Sequence, residues 1–189
     1  MKIKIIVAAL ILSQPLIAQI PTSFGFALSK TFGDDVSLVK AETYFIKEIL
    51  NSPAEEVQFE FERIASSSSG DLTSFYYICK EKNKEGIILA FYGDYWNKAG
   101  DIYKGFLFKS FTKNEAIDFF NKITKALEVR KGFLSSDNDN KVYIQYDDIF
   151  IILSKEPETK IKIFWNGIDA DLDRWAFSRI NRWLGKDLE

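Results

Sequence analysis

The chain has 189 residues, with 25 Lys and Arg against 27 Asp and Glu, a single cysteine and no histidine. Without imidazole there is no Ser–His–Asp or Cys–His catalysis, no histidine general base and no histidine-ligated metal. One cysteine rules out an internal disulfide and a thiolate zinc site, and the absence of a basic stripe argues against nucleic acid as a partner.

The first stretch reads as a targeting segment. Lys2 and Lys4 precede an unbroken apolar run, Ile5 to Leu12, too short to span a bilayer, and Ser13-Gln14-Pro15 breaks it. Leu16-Ile17-Ala18 ahead of Gln19 makes a cleavage site, so residues 1–18 are expected to be a signal peptide and 19–189 one domain. The expected location is a bacterial periplasm or the extracellular space, with no membrane span after cleavage. The mature part then carries 23 basic against 27 acidic residues, a formal charge of −4. Cys79 lies in the apolar run Phe75–Cys79 and is expected to be buried.

Phe24 to Leu28 is read as a short first strand. A helix follows from Gly33-Asp34-Asp35, with Leu38, Ala41, Phe45 and Ile49 as its buried stripe, and stops at Asn51-Ser52-Pro53. From Val57 the period becomes two: Val57, Phe59 and Phe61 alternate with Gln58, Glu60 and Glu62. Ser66 to Asp71 is a turn. Leu72–Lys80 and Gly86–Tyr92 are the next strands; the latter is the most continuously apolar and is expected to be central.

Tyr103–Phe111 is a fourth strand running straight into a long amphipathic helix. Thr112 and Glu115 have capping-box spacing, and Ala116, Phe119, Phe120, Ile123 and Leu127 form one apolar face. Arg130 and Lys131 suit the negative end of that helix, and Gly132 reads as its left-handed stop. Lys141–Asp147 alternates, Asp147-Asp148 is a tight turn into Ile149–Leu153, and Lys160–Trp165 alternates again until Asn166-Gly167 ends it. The last helix is expected over Asp169–Leu184, with Asp169 as cap and Leu172, Trp175, Ala176, Ile180 and Trp183 inward.

The element order is β-α-β4-α-β3-α. Hairpin-length loops imply antiparallel pairing, so the expected fold is α+β: a curved antiparallel sheet with helices packed on one face. That order is similar to the TATA-binding-protein-like and β-lactamase-inhibitor-protein-like folds, a likeness of topology that implies no function.

The segment Phe91–Tyr103 is the most suggestive for function. It places Tyr92, Tyr95, Trp96 and Tyr103 around a loop containing Gly and Asp, where exposed aromatic rings stack on sugars or pack on proteins. These four are the candidate binding residues, against the plain alternative that they plug the loop onto the domain. Asp169, Asp171 and Asp173 alternate like the start of a calcium loop, but Arg174 and Ile180 occupy the positions that need glycine and a carboxylate. No catalytic residue, metal site or cofactor is indicated. The expected role is an exported, non-enzymatic binding domain for a protein, peptide or glycan. The alternatives are a carboxylate-based glycan hydrolase, which needs two converging carboxyl groups, and a small-amphiphile carrier with an apolar cavity under the helices.

Overall fold

The computed structural model describes residues 35–52, 56–96, 99–135, 139–155 and 158–185, with the side chains of Tyr95 and Trp96 outside that set. All of them lie in the second of two units, Phe32–Glu189; the expected signal peptide and the first strand at Phe24–Leu28 fall outside the described residues. Helix α1 covers residues 35–44 and widens into a π-helical turn, Phe45–Leu50. It stops where Asn51 turns left-handed, at φ 42°, and returns its N–H to the Ile46 carbonyl.

A meander follows: β1 (Glu60–Ser66), β2 (Leu72–Cys79), β3 (Lys84–Trp96) and β4 (Ile102–Thr112). Then come α2 (Lys113–Val129) and a short turn of helix, α3 (Lys131–Leu134). A second meander holds β5 (Val142–Tyr146), β6 (Ile149–Lys155), β7 (Thr159–Trp165) and β8 (Ile168–Leu172), and α4 (Arg174–Gly185) closes the described chain. The protein is therefore α+β with antiparallel pairing throughout, its strands divided into two four-stranded sheets ordered β1-β2-β3-β4 and β5-β6-β7-β8. No helix among the described residues is long and apolar enough to cross a membrane.

Helices cover both faces of the first sheet. Strand alternation sends Ile88 and Ala90 to one side, where they pack with Phe75, Tyr77 and Cys79 beneath Ala41 and Phe45 of α1. It sends Ile87, Leu89 and Phe91 to the other side, into the main core with Phe119, Phe120 and Ile123 of α2 and the inner face of the second sheet. That is why β2 and β3 are apolar on both faces. Cys79 is fully buried, as expected.

At the start of α2 both halves of the capping box form. The Thr112 hydroxyl accepts from the Glu115 N–H, and the Glu115 carboxylate accepts from the Thr112 N–H at 2.8 Å. The bonds donated to this carboxylate by the Thr112 N–H, first, and by the Thr112 hydroxyl hold the Glu115 carboxyl below its usual range. The helix ends differently from expectation. Gly132 is absent from the left-handed residues; α2 gives way at Arg130, and α3 carries Leu134 into the core.

The last helix also starts later than its acidic run suggests. Asn166 and Gly167 have φ of 48° and 82° and form a two-residue hairpin turn, with Trp165 paired to Ile168. The chain therefore runs back as β8, with Ile168, Ala170 and Leu172 inward. Asp169 is a strand residue, and the cap is Asp173, whose carboxylate accepts from the Ala176 N–H at 2.9 Å. With the helix so shifted, its buried face is Ala176, Phe177, Ile180 and Leu184, and Trp175 lies 58% exposed under the Arg179 guanidinium instead of in the core.

The two meanders are joined by polar contacts. Lys109 of β4 donates to Asp148 in the β5–β6 turn at 2.6 Å and sits over the Trp165 ring, and the Trp165 indole donates to the other Asp148 oxygen at 2.9 Å. The lysine bond is the largest cause that holds the Asp148 carboxyl below its ordinary range. A carboxyl lowered by folding stabilises the fold above its unfolded pKa and loses that contribution as pH falls through its folded one. Asp148→Asn is accordingly expected to lower stability at neutral pH by under about 1 kcal/mol, because the pair is partly solvated. The gap to wild type should close as pH falls below about 4, as read by urea unfolding across pH. A gap that widened on acidification would overturn this.

Candidate functional site

Tyr92 and Tyr103 lie in strands, as expected, and Tyr95 and Trp96, expected in the loop between them, belong to β3 as well. β2 pairs with β3 only as far as Leu72 opposite Phe91, whereas β3 and β4 stay paired out to Trp96 opposite Ile102. The last five pairs, from Tyr92–Phe106 to Trp96–Ile102, form a two-stranded arm that outruns β2. The Tyr92 N–H, bonded to the Asp71 carbonyl at 2.8 Å, marks its base. The arm turns through Gly100, at φ 88°. Gly93 and Gly105 pair across it, and a Cβ placed on Gly93 would stand 3.1 Å from the Ile168 side chain of β8, so one side of the arm's base rests on the second sheet.

Period-two alternation splits the four expected residues. Tyr92 shares a face with Lys104 and Phe106, the continuation of the α1 side, whereas Tyr103 belongs to the opposite face. In register Tyr95 is opposite Tyr103, and Trp96 opposite Ile102; the side chains of Tyr95 and Trp96 are outside the described residues. Tyr92 is 37% exposed and Tyr103 47%.

The α1-side face carries a ladder of rings that sequence reading did not anticipate. Tyr44 of α1 stacks on Phe108 at 5.2 Å, Phe108 lies parallel to Phe106 at 6.2 Å, and Phe106 meets Tyr92 at 4.8 Å. The Lys104 ammonium sits 5.8 Å above the Tyr92 ring. The signal was present in the spacing of Lys104, Phe106 and Phe108 along β4, and Tyr44 is the element it could not supply. The arm thus offers a row of rings, anchored at the α1 end and exposed at the Tyr92 end, with a cation beside the exposed ring.

A second exposed aromatic pair lies on the outer face of the second sheet. Tyr143 and Phe150 stack at 6.1 Å, and Phe150 is paired across strands with Phe164. Both fall out of phase with the buried Ile144, Ile149 and Ile151, which is the pattern by which alternation marks them.

Several carboxylates are committed to structure. Lys162 bridges Asp169 at 2.8 Å and Asp171 at 3.4 Å on the outer face, which places these two far from a calcium loop. Asp173 accepts from the Ser68 N–H and hydroxyl at 2.6 and 2.7 Å as well as from Ala176, tying the β1–β2 turn to α4. Burial pushes its pKa up, but those hydrogen bonds together outweigh burial and leave it lowered. Glu115, Asp148 and Asp173 are all displaced downward, opposite to the raised carboxyl that a general acid requires. Among the described residues no group of three or more Asp, Glu or Cys side chains is placed to hold a metal ion. Two further clefts open elsewhere on the protein. One, of about 530 Å³, lies between Glu48 and Lys113; the other, of about 400 Å³, lies between Ser67 and Arg174, and both have charged side chains in their walls.

Comparison with protein-family models, with curated proteins and with solved structures gives no match for this chain.

Proposed function

We propose that this protein is an exported binding domain whose β3–β4 arm takes up a protein or peptide partner. The carrying observation is the aromatic row that ends in the exposed Tyr92 with Lys104 over its ring, on a hairpin that extends beyond the sheet. Aromatic side chains that hold little rotamer freedom make low-entropy anchors, and interface hot spots concentrate in them. Export rests on the N-terminal Lys2/Lys4, apolar run and Ala18 site.

The test has two parts. Secreted, periplasmic and cytoplasmic fractions are isolated and the N-terminus of the protein sequenced; Gln19 in an exported fraction is expected, and a chain retaining Met1 and confined to the cytoplasm overturns export. The mature protein is then immobilised against extracts of its own envelope and against a glycan array, beside Tyr92→Ala and Tyr103→Ala. A polypeptide retained by wild type and lost at least tenfold by Tyr92→Ala, with urea stability of that variant within about 1 kcal/mol of wild type, supports the reading. Equal retention by wild type and variant, or retention of glycans alone, overturns it.

A further inference from the structure

A separate cleft of about 220 Å³ lies between β1 and α4, walled by Glu62, Arg63, Ile64, Tyr76, Arg179, Arg182 and Trp183. We propose that it binds the oxyanion group, phosphate or carboxylate, of a small molecule. Three arginines and one glutamate are among its lining residues, on a chain whose formal charge is −2. Concentrating one sign in a recess against the overall balance focuses the field there, and the planar guanidinium fork matches the paired oxygens of a phosphate or carboxylate.

The site is built by a departure from regular pairing. In a regular strand consecutive side chains alternate between faces. The register of β1 shifts between Arg63 and Ala65, and this bulge lets Glu62, Arg63 and Ile64 line one cleft. From the other wall, Arg179, Arg182 and Trp183 are spaced three and four apart on α4 and share a helix face. Arg179 is steadied over Trp175 at 4.9 Å. Tyr76 and Trp183 stack at 5.0 Å with 21° between ring planes and make a flat side to the cleft. The Glu62 carboxylate engages the Tyr76 hydroxyl and keeps its charge, and the three arginines outnumber it in the lining. A plainer role for Arg182 is to offset the helix dipole in the last turn of α4. That role accounts for neither Arg179 nor the bulge that brings Arg63 to the same recess. With water occupying about 30 Å³, the volume admits an oxyanion and a small body lying along the rings.

The test is a two-dimensional ¹H–¹⁵N NMR titration of the mature chain at fixed ionic strength with inorganic phosphate, phenyl phosphate, sodium acetate and sodium chloride. The Trp183 indole peak is assigned by Trp183→Phe. Saturable shifts of that peak and of the Arg179 and Arg182 side-chain N–H signals are expected with phosphate or acetate, with little movement at Trp165. Tighter binding of phenyl phosphate than of phosphate would identify a ring-bearing ligand; equal binding would identify the oxyanion alone. The double variant R179Q/R182Q should weaken the affinity at least tenfold, and the single variant R182Q serves should the double variant not fold. Shifts that chloride reproduces, or that persist unchanged in the variants, overturn the proposal, as does a Trp183 signal indifferent to all four salts.

Discussion

Gly86→Ala is expected to cost about 3 kcal/mol or more of folding stability, read as the change in urea midpoint at constant slope. Gly86 lies in β3, opposite Tyr77 on one side and Thr112 on the other. The Tyr77 phenol crosses the place where a side chain would stand and donates to the Phe111 carbonyl at 3.2 Å. A Cβ at Gly86 would collide with both the Phe111 carbonyl and the phenol. One partner is the backbone of β4, which cannot swing aside without opening the sheet at the point where it feeds α2. The other is a buried phenol, its pKa pushed up to about 12 chiefly by burial, so its displaced hydroxyl would be left without a partner in an apolar surrounding. Tyr77→Phe alone should cost only about 1 kcal/mol, the usual net worth of such a bond. It should rescue Gly86→Ala only in part, since the backbone clash remains. An alanine variant within about 1 kcal/mol of wild type would show that β3 and β4 are not in this register.

Phe119→Ala is the second large effect, about 3–5 kcal/mol. The ring is fully buried and bridges the two meanders. It stacks on Phe111 of β4 at 5.1 Å, meets Tyr146 of β5 edge-on at 5.2 Å, and meets its neighbour Phe120 edge-on at 5.1 Å. Phe120 in turn faces Phe177 of α4 at 6.0 Å. Truncation removes a contact made by both sheets at once, and the strands on either side are too constrained by pairing to close the cavity. Against a net stability of about 5–15 kcal/mol for a typical domain, that is a large fraction of the whole. Phe119→Leu, which keeps much of the volume, should retain most of it. A loss below about 2 kcal/mol for the alanine variant would mean that the joint between the sheets lies elsewhere.

Much of this architecture was legible because its signals are local. Thr112 and Glu115 speak to each other within one turn, and the Phe119–Ile123 stripe needs only helical periodicity. Asp147-Asp148 sits between two alternating runs and is the turn it resembles, with Tyr146 paired to Ile149. The eighth strand was hidden by competing readings of the same residues. Asp169, Asp171 and Asp173 look like acids at a helix start, and Leu172 fits a helix face as well as a strand face. Asn166-Gly167 was the stronger signal, since a two-residue turn with both residues left-handed sends the chain back as a hairpin. Missing it misplaced Trp175 by moving the helix face.

The site was less legible for a different reason. Gly93 and Asp94 are poor strand formers, and they are held extended by the partner strand β4 rather than by their own preference. A loop and a hairpin arm have the same local composition here; which one forms depends on pairing across the turn. The ring of Tyr44 likewise meets Phe108 from an element far away in the chain, beyond the reach of a spacing argument.

All six strand pairings among the described residues join strands consecutive in the chain. Each sheet can therefore assemble by closing short loops, whose entropy cost rises by only about 0.6 kcal/mol per doubling of length. The long closures are those that dock one half on the other: Lys109 to Asp148 across 39 residues, and Ser68 to Asp173 across 105. The topology thus separates two tasks. Local contacts, of the kind that favour rapid folding, suffice to lay out either meander, and the cooperativity of the whole falls to α2 and the few side chains that clasp the halves together.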